Sequence, residues 1–234
     1  MHVNMHCRAV DVEATRSIRQ AEVGSVRMML GRVKDQFGLH PERLIADAAY
    51  GSGPMLDWLV KRGVKPHIPA LDQSGRRDGT WSRANFEWDA ANNQYICPEG
   101  EALKQFRCNY SDPNRGPTGK GVSKYQALKL TCQACPLKPK CCPNADVRKI
   151  TREEHEDARQ VARDIAKTRH YVISMRLRKK VDMLFTHLKR ILGLGRLRLR
   201  GPCGANDEFL LAATAQNLRK LAKIFPAPQQ LRKA

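Results

Sequence analysis

The chain has 234 residues, 41% of them hydrophobic, with 42 Lys and Arg against 23 Asp and Glu and a formal net charge of +19. That length and apolar share suffice for one large domain or a domain carrying an insertion, and no run of about 18 apolar residues offers a membrane span. The charge calls for a polyanionic partner, nucleic acid first and an acidic membrane surface second.

The opening "MHVNMHCRAVDVEAT" lacks the charged leader and apolar stretch of a secretion signal. A cytoplasmic setting is expected, so the eight cysteines are read for metal before disulfides. Residues 7–14 predict a strand. Val23, Val26, Leu30, Val33 and Phe37 recur at three- and four-residue steps and predict a helix that Gly38 ends. "RLIADAAYGSG" follows, a short apolar strand delivering Asp47 to a glycine-rich turn, which is the layout of an α/β active-site edge. Asp47 otherwise serves the turn or caps the next helix. That helix runs from about Pro54 to Arg62, Gly63 stops it, and "VKPHIP" makes another strand. Such alternation predicts a largely parallel sheet with helices packed on it.

Residues 72–146 are rich in Gly, Asn, Pro and Cys and read as a loop-rich insertion between a first part, 1–71, and a helical part, 147–234. Thr151-Arg152-Glu153-Glu154 matches a capping box with Ile150 as its staple, predicting a helix start there. Two further helices are expected at about 171–193 and 207–224. On the first, with about 100° per residue and Met175 at zero, Arg178 falls near 300°, Asp182 near 340° and Lys189 near 320°. This polar stripe borders an apolar face of Val181, Leu184, Phe185, Leu188, Ile191 and Leu192. Asp182 is either one partner in ordinary helix salt bridges or, with Asp47, part of a hard-oxygen site suited to Mg²⁺.

Cys132-x2-Cys135-x5-Cys141, with Cys97 upstream in "YICPEG", offers the four thiolates that tetrahedral Zn²⁺ takes. Cys142 can replace Cys141 and Cys108 can replace Cys97, and reduced thiols in a loop are the alternative. Cys7 and Cys203 have no evident partners and read as small buried residues. "GRLRLRG", if extended, turns Arg196, Arg198 and Arg200 to one side as a strip for duplex phosphates, or forms a solvated edge strand or loop.

"ADAAYGSG", then "YICPEG…CQACPLKPKC", then "MRLRKKVDMLFTHLKRILGLGRLRLRGPCGANDEFLLAATAQNLRKL" resemble the C-terminal part of DDE transposases from bacterial insertion sequences. The resemblance implies a ribonuclease-H-like α/β fold, a mixed sheet with flanking helices. It also implies three carboxylates holding paired Mg²⁺ (or Mn²⁺) ions for DNA cleavage and strand transfer. Double-stranded DNA, as transposon ends and target, would be the partner, with a homodimer on DNA and a place on the bacterial nucleoid. Asp47 matches the second carboxylate. The family's helix motif of Tyr, two residues, Arg, three residues, Glu, six residues, Lys appears here as Met175, Arg178, Asp182 and Lys189, so Asp182 is one methylene short and Met175 brings no hydroxyl. The first carboxylate belongs on an opening strand that this sequence does not show. Asp11, on the strand just before the first long helix, is a poor substitute. An N-terminally incomplete copy is therefore expected. The alternatives are a non-catalytic DNA-binding remnant and a standalone zinc-dependent nucleic-acid-binding module.

Overall fold

The computed structural model describes residues 2–3, 9–15, 19–71, 75–76, 78–106 and 121–225, so Cys7 and Cys108 lie outside the described residues. The chain divides into two units, one of Met1–Tyr50, Leu59–Pro69 and Ala162–Ala234, the other of Gly51–Trp58 and Ala70–Val161.

In the first unit, β1 (His2–Val3) pairs antiparallel with β2 (Ala9–Asp11), and β3 (Arg43–Ile45) pairs parallel with β4 (Lys65–His67). Between the pairs runs α1 (Arg19–Phe37), packed on β2 and burying Met29, Leu30 and Val33. The alternation expected from sequence is thus present, but the largely parallel sheet is not, since among the described residues only β3 and β4 pair parallel, and Phe37, at the end of the expected apolar face, is exposed. Gly38, at φ +63°, donates its N–H to the Lys34 carbonyl and ends the helix in the left-handed region that glycine enters at no steric cost. α2 (Gly53–Lys61) belongs to both units and buries Met55, Leu56 and Leu59.

α6 (Arg169–Arg190) packs on β3, β4 and α7 (Gly201–Ile224). The Thr168 hydroxyl caps α6 by accepting the Tyr171 N–H. α7 begins six residues before its expected start, because Pro202 suits a first helical turn, where its missing N–H costs nothing.

The second unit corrects two expectations. The segment read as loop-rich holds four strands of a five-stranded antiparallel meander, β5 (Glu87–Asp89), β6 (Gln94–Ile96), β7 (Ala102–Gln105) and β8 (Val122–Gln126), and β9 (Lys149–Glu153), just after it, completes the order. Short helices α3 (Lys129–Ala134) and α4 (Lys138–Cys141) lie between β8 and β9. The residues of the expected capping box lie in and just after β9, and α5 (Glu156–Ala166) starts later. The reason is side-chain alternation. Ile150 opposes Tyr125 across the ladder and joins Phe86, Tyr95 and Leu103 in one buried cluster, a burial that a helix begun at Thr151 would forfeit. Trp88, Tyr95 and Tyr125 meet with ring centroids 4.9–5.4 Å apart, and the Arg152 guanidinium lies 4.0 Å from the centre of the Trp88 ring.

Candidate active site and metal centre

β3 ends two residues before Asp47, and a short 3₁₀ turn, Ala48–Tyr50, follows at once. Asp47 is exposed, and its Oδ1 accepts the Ala49 N–H at 2.8 Å, so it does serve the turn. Its Oδ2 takes no hydrogen bond among the described residues. The neighbouring Tyr50 hydroxyl donates to Glu22 Oε1 at 2.8 Å. Burial above all, then Glu22 and the negative charge of Asp47, holds this phenol well above its ordinary range.

Asp182 and Lys189 are exposed on α6, while Met175 and Arg178 are half-buried and Ser174, Leu184 and Leu188 are buried. The stripe therefore borders the packed Leu184 and Leu188, whereas Phe185, Ile191 and Leu192 of the expected apolar face are exposed. Among the described residues the Arg178 Nε is buried without a partner. α6 lies against β3, the strand that leads to Asp47.

Sequence reasoning missed a cluster on the same helix face. Tyr171 stacks on His67 at the end of β4, with centroids 6.1 Å apart and planes at 30°. His67 and Ser174 are 3% and 1% exposed, and His67 Nδ1 and Ser174 Oγ have no partner among the described residues. Burial, then the positive charges of Arg43, His170 and Lys65, lowers the His67 pKa and keeps the ring neutral. The signal was present: the same angular count puts Tyr171 near 320°, in the stripe with Arg178 and Lys189.

Asp11 is engaged elsewhere. Arg32 grips it with two bonds, Nη2 to Oδ1 at 2.8 Å and Nε to Oδ2 at 3.0 Å, while Nη1 reaches Glu13 at 2.9 Å.

Arg196, Arg198 and Arg200 occupy an irregular loop between α6 and α7, not an extended strand. The strand's alternation is therefore absent, and Leu197 and Leu199 are 40% and 51% exposed beside the exposed arginines. The loop is nonetheless held. Glu208 Oε1 accepts the N–H groups of Arg198, at 2.6 Å, and Leu199. Gly204 lets Leu199 approach, since a Cβ there would stand 2.7 Å from that of Leu199.

In the second unit, Cys97, Cys132, Cys135 and Cys141 line one cavity of about 240 Å³, and Cys142 is absent from its lining. Cys97 follows β6 in a tight turn: its carbonyl accepts the Gly100 N–H at 2.8 Å, and its Sγ accepts the Glu101 N–H at 3.3 Å. Cys132 is in α3, Cys135 just after it, and Cys141 closes α4. Burial, with the neighbouring Cys142, pushes the Cys141 thiol up to about 12. Among the described residues no three His, Cys, Asp or Glu side chains converge at coordination distance.

Also among the described residues, no helix is long and apolar enough to cross a membrane. The sequence model of a transposase DDE domain matches residues 96–222, a range that begins after Asp47 and takes in the four cysteines and the whole stripe of α6. No curated protein and no solved structure matches the chain. Since the matched range exceeds half of the sequence, the chain belongs to the transposase DDE domain family.

Proposed function

We propose that the chain serves DNA transposition, as a ribonuclease-H-like domain taking part in metal-dependent cleavage and strand transfer at insertion-sequence ends on the bacterial nucleoid. The observation that carries the reading is that α6, bearing Asp182, packs within one unit against β3, which leads to Asp47. The order of an antiparallel pair, a helix and a parallel pair supports the fold.

The donor set suits one hard divalent cation, Mg²⁺ or Mn²⁺, held by Asp47 and Asp182. It does not suit two, because two carboxylates leave close-set dications underliganded and Asp11 is committed to Arg32. A bound cation supplies Lewis-acid polarisation of the scissile phosphodiester. Arg178 and Lys189 orient the DNA end by its phosphates, and the Arg196, Arg198 and Arg200 loop holds duplex backbone. A homodimer on DNA would bring the two transposon ends together. The cysteine cavity is assigned a separate, structural zinc ion.

The Asp11–Arg32 pair favours a second reading for this chain by itself, a non-catalytic DNA-binding remnant. Metal-dependent cleavage of transposon-end DNA separates the two. The chain alone is expected to cleave poorly. Joined to an upstream strand bearing an acid, it gains cleavage that Asp182→Glu raises and Asp47→Ala abolishes. Robust cleavage by the chain alone would make Asp11 the third ligand after all. No cleavage in any form leaves the remnant.

A further inference from the structure

Arg148 is 5% exposed, yet no carboxylate pairs with it among the described residues. Its Nη1 donates to the Cys141 carbonyl at 3.0 Å and its Nη2 to the Trp81 carbonyl at 2.7 Å, its guanidinium lies 5.0 Å from the centre of the Phe86 ring, and its Nε has no partner. The carboxylate of Asp78 acts on it only at longer range and less strongly than Arg76 opposes it, and a buried cation with no counter-charge in contact costs several kcal/mol. Arg148 also lines the cavity that the four cysteines line.

We infer that Cys97, Cys132, Cys135 and Cys141 bind one Zn²⁺ as thiolates and that Arg148 is the counter-cation of the resulting anionic centre. The inference rests on the zinc assignment above and is independent of the carboxylate chemistry. On binding, the four thiols release their protons to solvent, and four thiolates around a dication leave a net charge of 2−. That charge answers the arginine, whose own neutralisation is out of reach. Three features fit. The Glu101 N–H already donates to Cys97 Sγ, the second-shell bond that stabilises a metal thiolate. Leu103 and Ala127 give the cavity buried apolar walls that strengthen the pairing of charges, while Glu99 and Glu101, also in its lining, are exposed. The ligands come from a turn of the sheet and from α3 and α4, so the ion fastens the two short helices to the sheet, an anchorage that helices of six and four residues need from outside themselves.

The test uses the whole chain purified without chelator. Elemental analysis is expected to find about one zinc per chain, lost in Cys132→Ser with Cys135→Ser and kept in Cys142→Ser and Cys203→Ser. Because the double variant can misfold, Co²⁺ replaces Zn²⁺ in the unaltered chain, where thiolate charge-transfer and tetrahedral absorption bands are expected. Arg148→Met should release zinc to a competing chelator about tenfold faster, and Arg148→Lys should restore most of the difference. Zinc absent, zinc kept in the double variant, or cobalt without thiolate bands overturns the site. Equal release from Arg148→Met and the unaltered chain overturns the counter-ion. Asp47→Ala is expected to keep its zinc, so failure of the carboxylate reading and failure of this one give different results.

Discussion

The two units hold their charged groups in opposite ways. In the unit of the five-stranded sheet, Phe86, Tyr95, Leu103, Tyr125 and Ile150 close a core, and cations are drawn into it: Arg148 among carbonyls and a ring, Arg83 onto the buried Glu156 at 2.7 Å. In the other unit Asp47, Asp182, Lys189 and the loop arginines face solvent, and the helices α6 and α7 also expose Met183, Leu211 and Leu218. Buried charge needs a fixed partner and can hold an ion. Exposed charge stays hydrated and is free to meet a polyanion. The comparison teaches that one chain separates a structural role from a reactive surface by burial more than by residue type.

The largest effect is expected on that surface. Duplex DNA affinity should fall by about three orders of magnitude or more between about 50 and 200 mM salt, because each neutralised phosphate releases counterions. Replacing Arg196, Arg198 and Arg200 together by Ala should lower the slope of log affinity against log salt by about 2.7, three contacts at about 0.9 each. A salt titration by fluorescence anisotropy measures both. An unchanged slope would show that the loop does not touch phosphate.

The buried side should be broken by a cavity. Leu103 is fully buried in the cluster that includes Tyr95 and Ala127, so Leu103→Ala should cost about 3 kcal/mol of unfolding free energy, while Leu197→Ala in the exposed loop should cost less than about 0.5 kcal/mol. Urea melts of the two variants read the contrast. Similar losses would mean that the loop leucine packs against something the isolated chain keeps.

The same contrast governs how far the sequence could be read. Long-period elements were legible: α1, α2 and α6 lie within a few residues of their expected limits, since apolar spacing, Gly38 and Gly63 act locally. The second unit was not, because strands of three to five residues carry one or two inward side chains each, too few for alternation to stand out from turns. "KITRE" shows the conflict, a capping signal overridden by Ile150 pairing with Tyr125. The four cysteines were legible as a set, whereas Arg148 was not, since a buried arginine carries no local mark. Whether "GRLRLRG" is extended or a loop was left open by its sequence, because Glu208, eight residues after Arg200, holds it as a loop.

A smaller effect attaches to Asp11. Its pair with Arg32 is partly exposed, so Asp11→Asn should cost about 1 kcal/mol and leave Mn²⁺ affinity as it was, read by melts and by metal titration. A lost or weakened Mn²⁺ site would return Asp11 to the list of ligands.

The smallest effect distinguishes the units by pH. His67 is packed by Tyr171 and faces the positive charges of Arg43 from β3, Lys65 from its own strand and His170 from α6, while burial withholds water from a charged ring. Its folded pKa is therefore depressed below the unfolded value of about 6.5. The sign follows from linkage. As pH falls through about 6.5 the unfolded chain takes up a proton that the folded chain refuses, so stability is full above that pH and declines below it, until the folded ring is protonated too. The slope for this one proton cannot exceed about 1.4 kcal/mol per pH unit. Denaturant titrations at several values between about pH 5 and 7.5, read by amide hydrogen exchange in β4 and α6 and at the aromatic cluster of the sheet, should show a decline in β4 and α6 that His67→Gln flattens. A variant with the unaltered slope would assign the acid sensitivity to other groups, and an unaltered chain gaining stability on acidification would mean that the ring finds an anionic partner in the folded protein.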